Sequence, residues 1–363
     1  MDQRRAVLMV APPLLERAAL PLDRLRSTLY RWALAFRPLA WFIPARDRRV
    51  ALTATLHALI AFSIVVAAPT LLLALGPVLL GVMHVVADLR FLVLRRGLAR
   101  GWLGLVLLAC GGLIALRAAQ EAGLNALTGA RVEHAVVTLW MGAALVAGAL
   151  HSRRIARALL GVPVVVGLGV VAQLDPWGTR IAFIHLHNLV AVALWLFLFR
   201  GRVRAVLAPL ALVAALTGLL LSGQTYFWTA KLGTLDLLGL HVLTAADWLA
   251  PGLPLPAAAG LTLSFTFLQS VHYSTWLLVV PQEDVRGQGT ATWRMAMRSM
   301  TRELGRVGVW IMLATIVVVP LAAIFDLHRS RNLYLSLAMF HGYLELALGA
   351  YFFARGGLTP LKP

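Results

Sequence analysis

The chain has 363 residues, of which 60% are hydrophobic and only 13% charged, and its mean hydropathy is +0.81. Soluble globular domains carry about 25% charged residues, so this composition excludes an ordinary soluble protein. The single cysteine, Cys110, excludes an intrachain disulfide, a thiolate metal site and a C-x-x-C-H haem attachment, so nitrogen and oxygen must hold any metal.

The first fifty residues are basic and amphipathic. Leu25, Leu29, Trp32 and Phe36 recur at helical spacing, and arginines stand between them. A helix of this kind lies on a membrane surface, where anionic lipids of the inner leaflet attract its basic face. We therefore predict that residues 1–50 form a membrane-surface segment.

Beyond residue 50, the apolar residues fall into ten blocks long enough to cross a bilayer. A helix needs about 20 residues to span the hydrocarbon core, and no block has the period-two alternation of a membrane β-strand. We predict an all-α, polytopic integral membrane bundle over 51–354, followed by a short cytoplasmic tail at 355–363. The ten predicted spans are 51–75, 77–94, 101–117, 134–150, 157–174, 181–199, 204–221, 257–280, 307–325 and 333–354.

The basic residues alternate between the two sides of these spans. If the N-terminus lies inside, 27 of the 33 lysines and arginines fall in the N-terminal segment, the inner loops and the C-terminal tail. This distribution follows the positive-inside rule. It predicts cytoplasmic termini and a multi-pass protein of a bacterial inner membrane. It also accounts for the net charge of +18 without nucleic acid as a partner.

Two connecting segments are long enough to form structure of their own. Residues 222–256 are predicted to be the longest outer connection, with Tyr226, Trp228 and Trp248 anchored at the interface. Residues 281–305 are predicted to form a basic helix on the inner surface.

Ionisable side chains inside the predicted spans are concentrated on the even-numbered segments. Among the odd-numbered segments only the first carries one, His57, which we interpret as a hydrogen-bonded packing residue. An aspartate at the centre of a membrane helix costs about 2.5–3.5 kcal/mol, so such groups are candidates for function. We infer that the even-numbered helices line an interior. Their ionisable residues are His84, Asp88, His134, His185, His187, His272, His341 and Glu345.

The spacing of these residues favours a metal site. His84 and Asp88 are four residues apart, as are His341 and Glu345, so each pair shares one helix face. Paired histidines and carboxylates on facing helices are how bundles build iron and manganese sites, and the same ligands suit zinc. At 1.5 Å per residue, His84, His187 and His341 lie about 9–12 Å below the outer surface, and the carboxylates lie one turn deeper.

Several of these residues also have simpler interpretations. His185 and His187 point to opposite sides of one helix, so at most one of them faces a shared site, and depth favours His187. His134 begins its helix and also fits an interfacial histidine. His272 is also placed to hydrogen-bond across helices, and Asp88 to form a salt bridge with an arginine of the following loop.

Three windows carry a resemblance to a known family. They are GVMHVVAD at 81–88, VHYSTW at 271–276 and FHGYLE at 340–345. They are similar to the His-Gly-x-x-Asp and His-Ser-x-x-His motifs of the bacterial and archaeal membrane β-carotene dioxygenases, the Brp/Blh family, with Val85 and Trp276 in place of a glycine and a histidine. The resemblance implies a membrane enzyme whose intramembrane histidines hold iron and which cleaves a carotenoid with oxygen.

Together these observations predict a membrane-integral, histidine-ligated metal oxidoreductase or oxygenase. Iron (Fe²⁺) is the first choice of cofactor, and zinc, manganese and haem b are alternatives. Its partners would be membrane lipids and a lipid-soluble small molecule such as a carotenoid or another isoprenoid or acyl lipid. The expected metal ligands are His84, His187, His272 and His341, with His134 and His185 as additional candidates. The expected catalytic residues are Tyr273, Asp88 and Glu345, and the expected pocket residues are Tyr273, Trp276 and Tyr343.

Two other classes of function stay open. A membrane protein with haem b would use two of the same histidines as axial ligands and would absorb strongly in the visible range. A proton-coupled transporter would use the histidines and acids to carry protons. Metal analysis and an absorption spectrum of purified protein discriminate among the three classes.

Overall fold

The computed structural model describes residues 13–96, 98, 100–198, 201, 203–284 and 292–357. These residues are helical apart from short connections and one two-stranded hairpin, as the predicted all-α class requires. Residues 1–12 of the predicted surface segment and residues 358–363 of the predicted tail lie outside the described residues.

The described part of the chain forms helices α1 to α15 and strands β1 and β2. The first helices are α1 (Pro13–Ala35), α2 (Arg37–Ala40), α3 (Arg46–Ala67), α4 (Pro69–Asp88), α5 (Arg100–Glu121), α6 (Ala126–Ser152), α7 (Ile155–Leu174) and α8 (Pro176–Leu198). They are followed by α9 (Val203–Leu221), α10 (Gln224–Lys231), β1 (Asp236–Leu237), β2 (Leu240–His241), α11 (Val242–Leu249), α12 (Ala257–Ser274), α13 (Trp293–Phe325), α14 (Leu327–Ala338) and α15 (Phe340–Arg355). Helix α4 continues through a π turn and a 3₁₀ turn, Leu89–Val93 and Leu94–Arg96, and α12 does the same through Thr275–Val279 and Val280–Asp284.

Every predicted span contains a helix, and most of these helices are long and apolar. Within the described residues, eight helical segments are long and apolar enough to cross a membrane, or nine if the bent pair α9–α10 counts as one span. The eight are α3 to α8, α13 and the nearly continuous pair α14–α15. The chain is therefore a membrane helical bundle, whereas the count of ten spans and the cytoplasmic placement of the termini stay predictions.

Helix α12 is the most enclosed of the long helices and is also rich in hydroxyl groups. It packs against α3, α4, α8, α9 and α11, and almost all of its residues are buried. Thr262 donates to the carbonyl oxygen of Ala258 (2.9 Å), and Thr266 donates to that of Thr262 (2.8 Å). Because neighbouring helices shield it from lipid, α12 needs no apolar face for the bilayer. It is the helix around which the site is built.

Helix α7 has the opposite character. Its side chains at Leu159, Val164, Leu168 and Val171 are all more than half exposed. A large apolar surface of this kind is unfavourable in water and marks contact with a partner or a membrane. The outer surface of the bundle is thus apolar, whereas α12 at its centre carries polar side chains.

The first two spans meet at a proline and not at the predicted boundary. We predicted spans at 51–75 and 77–94, but α3 ends at Ala67 and α4 begins at Pro69. Ala68, between them, has an extended φ of −157°. Proline fits the first turn of a helix and disfavours a helical conformation in the residue before it. The predicted boundary was wrong by about two turns.

Helix α1 packs against the start of α13 through two acidic residues. Asp23 accepts hydrogen bonds from the backbone N–H of Trp293 (2.7 Å) and from Nε of Arg294 (3.1 Å). Glu16 accepts a hydrogen bond from Nε of Arg298 (3.0 Å). The first of these contacts satisfies a backbone donor that a helix start leaves open. The basic start of α13 is thereby held against the predicted surface segment.

Gly305 divides α13 into two parts. Its φ of 71° and ψ of 170° lie outside the helical region, in a conformation that glycine adopts readily. The part before Gly305 falls in the predicted inner-surface helix at 281–305, and the part after it in the predicted span at 307–325. Residues 285–291 of the predicted surface helix lie outside the described residues.

We expect acid to release α1 from α13. The hydrogen bond from Arg298 lowers the pKa of Glu16. Burial raises the pKa of Asp23, but its hydrogen bonds from Trp293 and Arg294 outweigh this effect and lower it. A carboxyl whose pKa is lower in the folded state stabilises the contact above its unfolded pKa, and the stabilisation is lost as the pH falls through the folded pKa. Protection of the α1 amides from hydrogen exchange, measured relative to the intrinsic rate at each pH, should therefore be high at neutral pH and fall below about pH 4.

The Glu16→Gln/Asp23→Asn double variant should show the low protection of α1 already at pH 7. Glu121→Gln, a change to an exposed acid at the end of α5, is the matched control and should leave exchange in α1 unchanged. Slow exchange in the double variant at neutral pH would contradict the assignment.

Reporter fusions after Leu127 and after Leu238 should both report from outside the cytoplasm. Leu127 lies at the start of α6, and Leu238 in the turn between β1 and β2. The distribution of basic residues places both connections on the outer side. A fusion at Gly201, between α8 and α9, is the control and should report from inside. A cytoplasmic signal at either leucine would overturn the predicted topology.

Candidate metal centre

The four predicted histidine ligands come from four different helices that meet in the interior of the bundle. His84 lies on α4, His187 on α8, His272 on α12 and His341 on α15. Helix α12 packs against α4 and α8, and Trp276 just beyond its end joins the buried cluster of α15. The rings of His84, His272 and His341 are buried, and the side chain of His187 is 14% exposed.

Three of the histidines converge through the same ring atom. Nε2 of His341 lies 3.1 Å from Nε2 of His84 and 3.1 Å from Nε2 of His187. In each of the two contacts, the ring centres are 4.8 Å apart and the rings are nearly perpendicular. Nε2 of His341 is therefore in contact with two imidazole nitrogens that come from two other helices.

The hydrogen bond on the other side of His341 fixes which nitrogen carries its proton. Nδ1–H of His341 donates to the carbonyl oxygen of Ala338, one turn earlier, so Nε2 carries a lone pair. One lone pair accepts one N–H, whereas the Nε2 atoms of both His84 and His187 face it. A cation bound at Nε2 of His341 would remove this competition for its lone pair. The second ring nitrogen bound to a backbone carbonyl is also the usual arrangement of a metal-ligating histidine.

His272 adds a fourth imidazole without a hydrogen bond. Both of its ring nitrogens are buried and unpartnered among the described residues. Its ring centre lies 4.5 Å from that of His187 and 5.4 Å from that of His84. Buried polar atoms in proteins are nearly always paired, so an imidazole left in this state fits a metal ligand.

Glu345 brings a carboxylate to the same cluster. Its Oε1 accepts a hydrogen bond from the indole N–H of Trp276 (3.1 Å). Its Oε2 lies 3.0 Å from Nδ1 of His187, although the two atoms are not aligned for a hydrogen bond. Potential ligand atoms lie within 4.8 Å of one another in two groups, His84–His272–His341 and His187–His272–Glu345. The donor set is thus nitrogen and oxygen only.

Asp88 lies one turn beyond His84 and is fully buried. Neither carboxylate oxygen has a hydrogen-bond partner among the described residues, and the group interacts electrostatically with Glu345. Asp88 does not form the alternative salt bridge with Arg90. Arg90 instead donates to Ser299 (2.8 Å) and pairs with Glu303. Asp88 therefore faces the interior next to the histidine cluster.

Aromatic rings pack around the imidazoles. The ring centre of Tyr273 is 4.5 Å from that of His84. Phe183 stacks on Tyr343 at 4.4 Å and lies 5.8 Å from His187. The three residues predicted to line a pocket, Tyr273, Trp276 and Tyr343, are all buried beside the cluster. These rings restrict the rotation of the histidines that they contact.

A buried charge network that the sequence did not reveal lies next to this cluster. Glu133 accepts hydrogen bonds from Nη2 of Arg117 (2.7 Å), Nη2 of Arg180 (3.0 Å) and the hydroxyl of Tyr343 (2.5 Å). It joins α5, α6, α8 and α15, and two of these helices carry histidines of the cluster. In the sequence, Glu133 stands at the outer end of a predicted span, near arginines on the predicted outer side. These arginines indicate topology, but nothing in their spacing shows that they bind Glu133.

The remaining histidine candidates lie apart from the cluster. Nδ1 of His134 is 3.3 Å from the carbonyl oxygen of Ala172, and Nε2 of His185 is 2.7 Å from that of Leu249. His57, interpreted as a packing residue, lies with Nε2 3.0 Å from the carbonyl oxygen of a residue on α12. In each case a ring nitrogen contacts a backbone carbonyl of a neighbouring element.

Comparisons with protein-family models, with characterised proteins and with solved structures found no match to this chain. The resemblance of the three windows to the Brp/Blh family therefore stays an expectation from those motifs. The arguments about function that follow depend on the geometry of the cluster itself.

Replacing Gly342 by alanine should disturb His187. A Cβ atom at Gly342 would lie 2.7 Å from Cζ of Phe183 and 3.0 Å from Nδ1 of His187. Overpacking of this kind costs about 1–3 kcal/mol, so Gly342→Ala should lower the thermal unfolding temperature of the purified protein.

Gly349→Ala, on the same helix, is the matched control. No atom lies within 4 Å of a Cβ at this position, so the substitution should leave stability unchanged or raise it slightly through helix propensity. Equal unfolding temperatures for the two variants would mean that Phe183 and His187 are not held tightly against α15.

Proposed function

We propose that the chain is an integral membrane metalloenzyme whose centre is held by His84, His187, His272 and His341. The proposed metal is non-haem iron, and the proposed activity is oxidation of a lipid-soluble substrate by an oxidoreductase or oxygenase. The observation that carries the proposal is that Nε2 of His341 lies 3.1 Å from Nε2 of both His84 and His187, beside the unpartnered ring of His272, inside a membrane bundle.

The donor atoms of the cluster suit a metal ion. Imidazole nitrogens and carboxylate oxygens are ligands for iron, manganese and zinc. Two groups of three such donors lie within 4.8 Å of one another, and both include His272. The residues present would therefore hold a metal through nitrogen and oxygen.

The carboxylates have supporting roles in this proposal. Glu345 faces Nδ1 of His187 and is itself held by Trp276, so it orients that imidazole. Asp88 places a second acid beside Glu345, and together they balance the charge of a buried cation. Iron held among these residues would bind oxygen and pass to it the electrons that the substrate loses on oxidation.

The surroundings of the cluster support a lipid-soluble substrate. The cluster lies inside helices whose outer faces are apolar, and a substrate dissolved in the bilayer reaches it without crossing water. Tyr273, Trp276 and Tyr343 surround the cluster with aromatic rings, a composition suited to an isoprenoid, carotenoid or acyl chain. The motif resemblance to the Brp/Blh family points to the same class of substrate.

The haem alternative is less well supported. Two axial ligands must approach the iron from opposite faces of a flat macrocycle. Nε2 of His341 instead lies 3.1 Å from Nε2 of His84 and from Nε2 of His187, and this separation leaves no space for a macrocycle within either pair. The transporter alternative is supported only by the presence of buried acids and histidines.

Metal analysis of the purified protein tests the proposal. Wild-type protein is expected to contain about one iron per chain and to lack the Soret band of haem. His187→Ala should remove most of the metal, because a lost ligand cannot be replaced from the apolar surroundings. Glu345→Gln should weaken metal binding about 10- to 100-fold, as removal of a group that orients a ligand does.

His185→Ala is the matched control, since His185 is two residues away on α8 and contacts the carbonyl oxygen of Leu249. This variant should keep its metal. Wild-type protein without stoichiometric metal would overturn the proposal, and a Soret band would assign the histidines to haem. Equal metal loss in the two variants would mean that the site does not use His187.

A further inference from the structure

A cavity of about 450 Å³ lies between α8 and α15. This volume falls in the range of pockets that hold small molecules, about 300–1,000 Å³. Most of its wall is apolar, and the two polar side chains among its lining residues are Glu345 and Arg157. The apolar lining includes Leu92, Val190, Phe197, Leu348, Phe352 and Phe353.

One end of the cavity reaches the candidate metal centre. Glu345 and Trp276 line this end, and they are hydrogen-bonded to each other. The second carboxylate oxygen of Glu345 lies 3.0 Å from Nδ1 of His187. A molecule that fills the cavity would therefore end one side chain away from the histidine cluster.

The other end of the cavity is basic. Arg157 lines it together with Gly356 and Gly357, and Nη1 of Arg157 lies 3.3 Å from the carbonyl oxygen of Phe353. The guanidinium of Arg154 packs so closely against Gly356 that it leaves no room for a Cβ atom there. Among the described residues, the ion pairs of arginine involve other arginines than these two. Arg157 thus lines this mouth, and the guanidinium of Arg154 lies next to it at Gly356.

The side of the cavity is open towards the outside of the bundle. Ala193 on α8 and Gly349 on α15 both line it and are both exposed. No atom lies within 4 Å of a Cβ at Gly349. An apolar chain in the surrounding lipid can pass between these two small residues.

We propose that the cavity binds a single-chain amphiphile with an anionic head, and that this molecule is the substrate class of the metal centre. The head, a carboxylate or a phosphate, binds Arg154 and Arg157, because guanidinium groups recognise both anions through paired hydrogen bonds. The apolar chain runs along α15 towards Glu345. The reverse orientation would bring the anionic head against the carboxylate of Glu345. The role as substrate rests on the proposed function, whereas the binding does not require metal.

Binding can be measured by electron paramagnetic resonance with doxyl-stearic acid. The purified full-length protein, treated with chelator, is placed in nanodiscs of zwitterionic phosphatidylcholine, and the motionally restricted fraction of the probe is recorded. The methyl ester of the same probe has the same chain without the charge. The acid is expected to bind at least tenfold more tightly than the ester, as a charged hydrogen bond provides.

Two substitutions locate the probe. The Arg154→Gln/Arg157→Gln double variant should weaken binding of the acid about 10- to 100-fold and leave the ester unchanged. Arg153→Gln is its control, because Arg153 is exposed in the same connection and does not line the cavity. Gly349→Leu should reduce binding of both probes by filling the cavity. Its control is Gly112→Leu, at an exposed position on α5 with no atom within 4 Å of a Cβ.

Competition identifies the source of the anionic head. Displacement of the probe by palmitate or by farnesyl phosphate, but not by farnesol, supports the proposal and shows whether carboxylate or phosphate is preferred. Equal binding of acid and ester, or displacement by farnesol as strong as by farnesyl phosphate, overturns it. If the purified wild-type protein contains no metal and still binds the acid more tightly than the ester, the proposed function is refuted. The proposed binding site is not refuted by that result, because binding does not require metal.

Discussion

A histidine or carboxylate in the hydrocarbon layer is stable only where other protein groups surround it, and this constraint governs the construction of the bundle. The polar side chains of the cluster lie on α4, α8, α12 and α15, and α12 is enclosed by its neighbours on nearly all sides. Because α12 is shielded, its buried threonines can return their hydroxyl groups to backbone carbonyls. The exposed valines and leucines of α7 then form part of the boundary with lipid.

The buried acids of the bundle have two different kinds of surroundings. Glu133 is fully neutralised, since two guanidinium groups and the hydroxyl of Tyr343 bind it. Among the described residues, no arginine or lysine pairs with Glu345 or Asp88; Glu345 lies next to His187, and Asp88 interacts electrostatically with Glu345. The first arrangement ties helices together and needs no further ligand. The second leaves carboxyl oxygens and imidazole nitrogens without a cation at one place, and these are the donors that a metal site requires.

Much of this arrangement could be predicted from the sequence, because its causes are local. Hydropathy predicted a helix in every span, and the depths of His84, His187 and His341 predicted that they lie in one layer. Helical geometry also separated His187 from His185, which contacts the carbonyl oxygen of Leu249 instead. The contacts of Glu133 could not be predicted, because its partners lie on three other helices. The boundary at Pro69 was missed because the residues on both sides of it are equally apolar. The helix ends there because proline disfavours a helical conformation in the residue before it.

Trp276 shows how one helix can position a candidate ligand of another helix through a buried acid. Helix α12 supplies one imidazole, His272, and Trp276 follows it by one turn, just beyond the end of the helix. The indole N–H of Trp276 holds Oε1 of Glu345, and Oε2 of Glu345 faces Nδ1 of His187 on α8. The position of the imidazole from α8 therefore depends in part on a residue that continues α12. Glu345 on α15 is the side chain that connects the two.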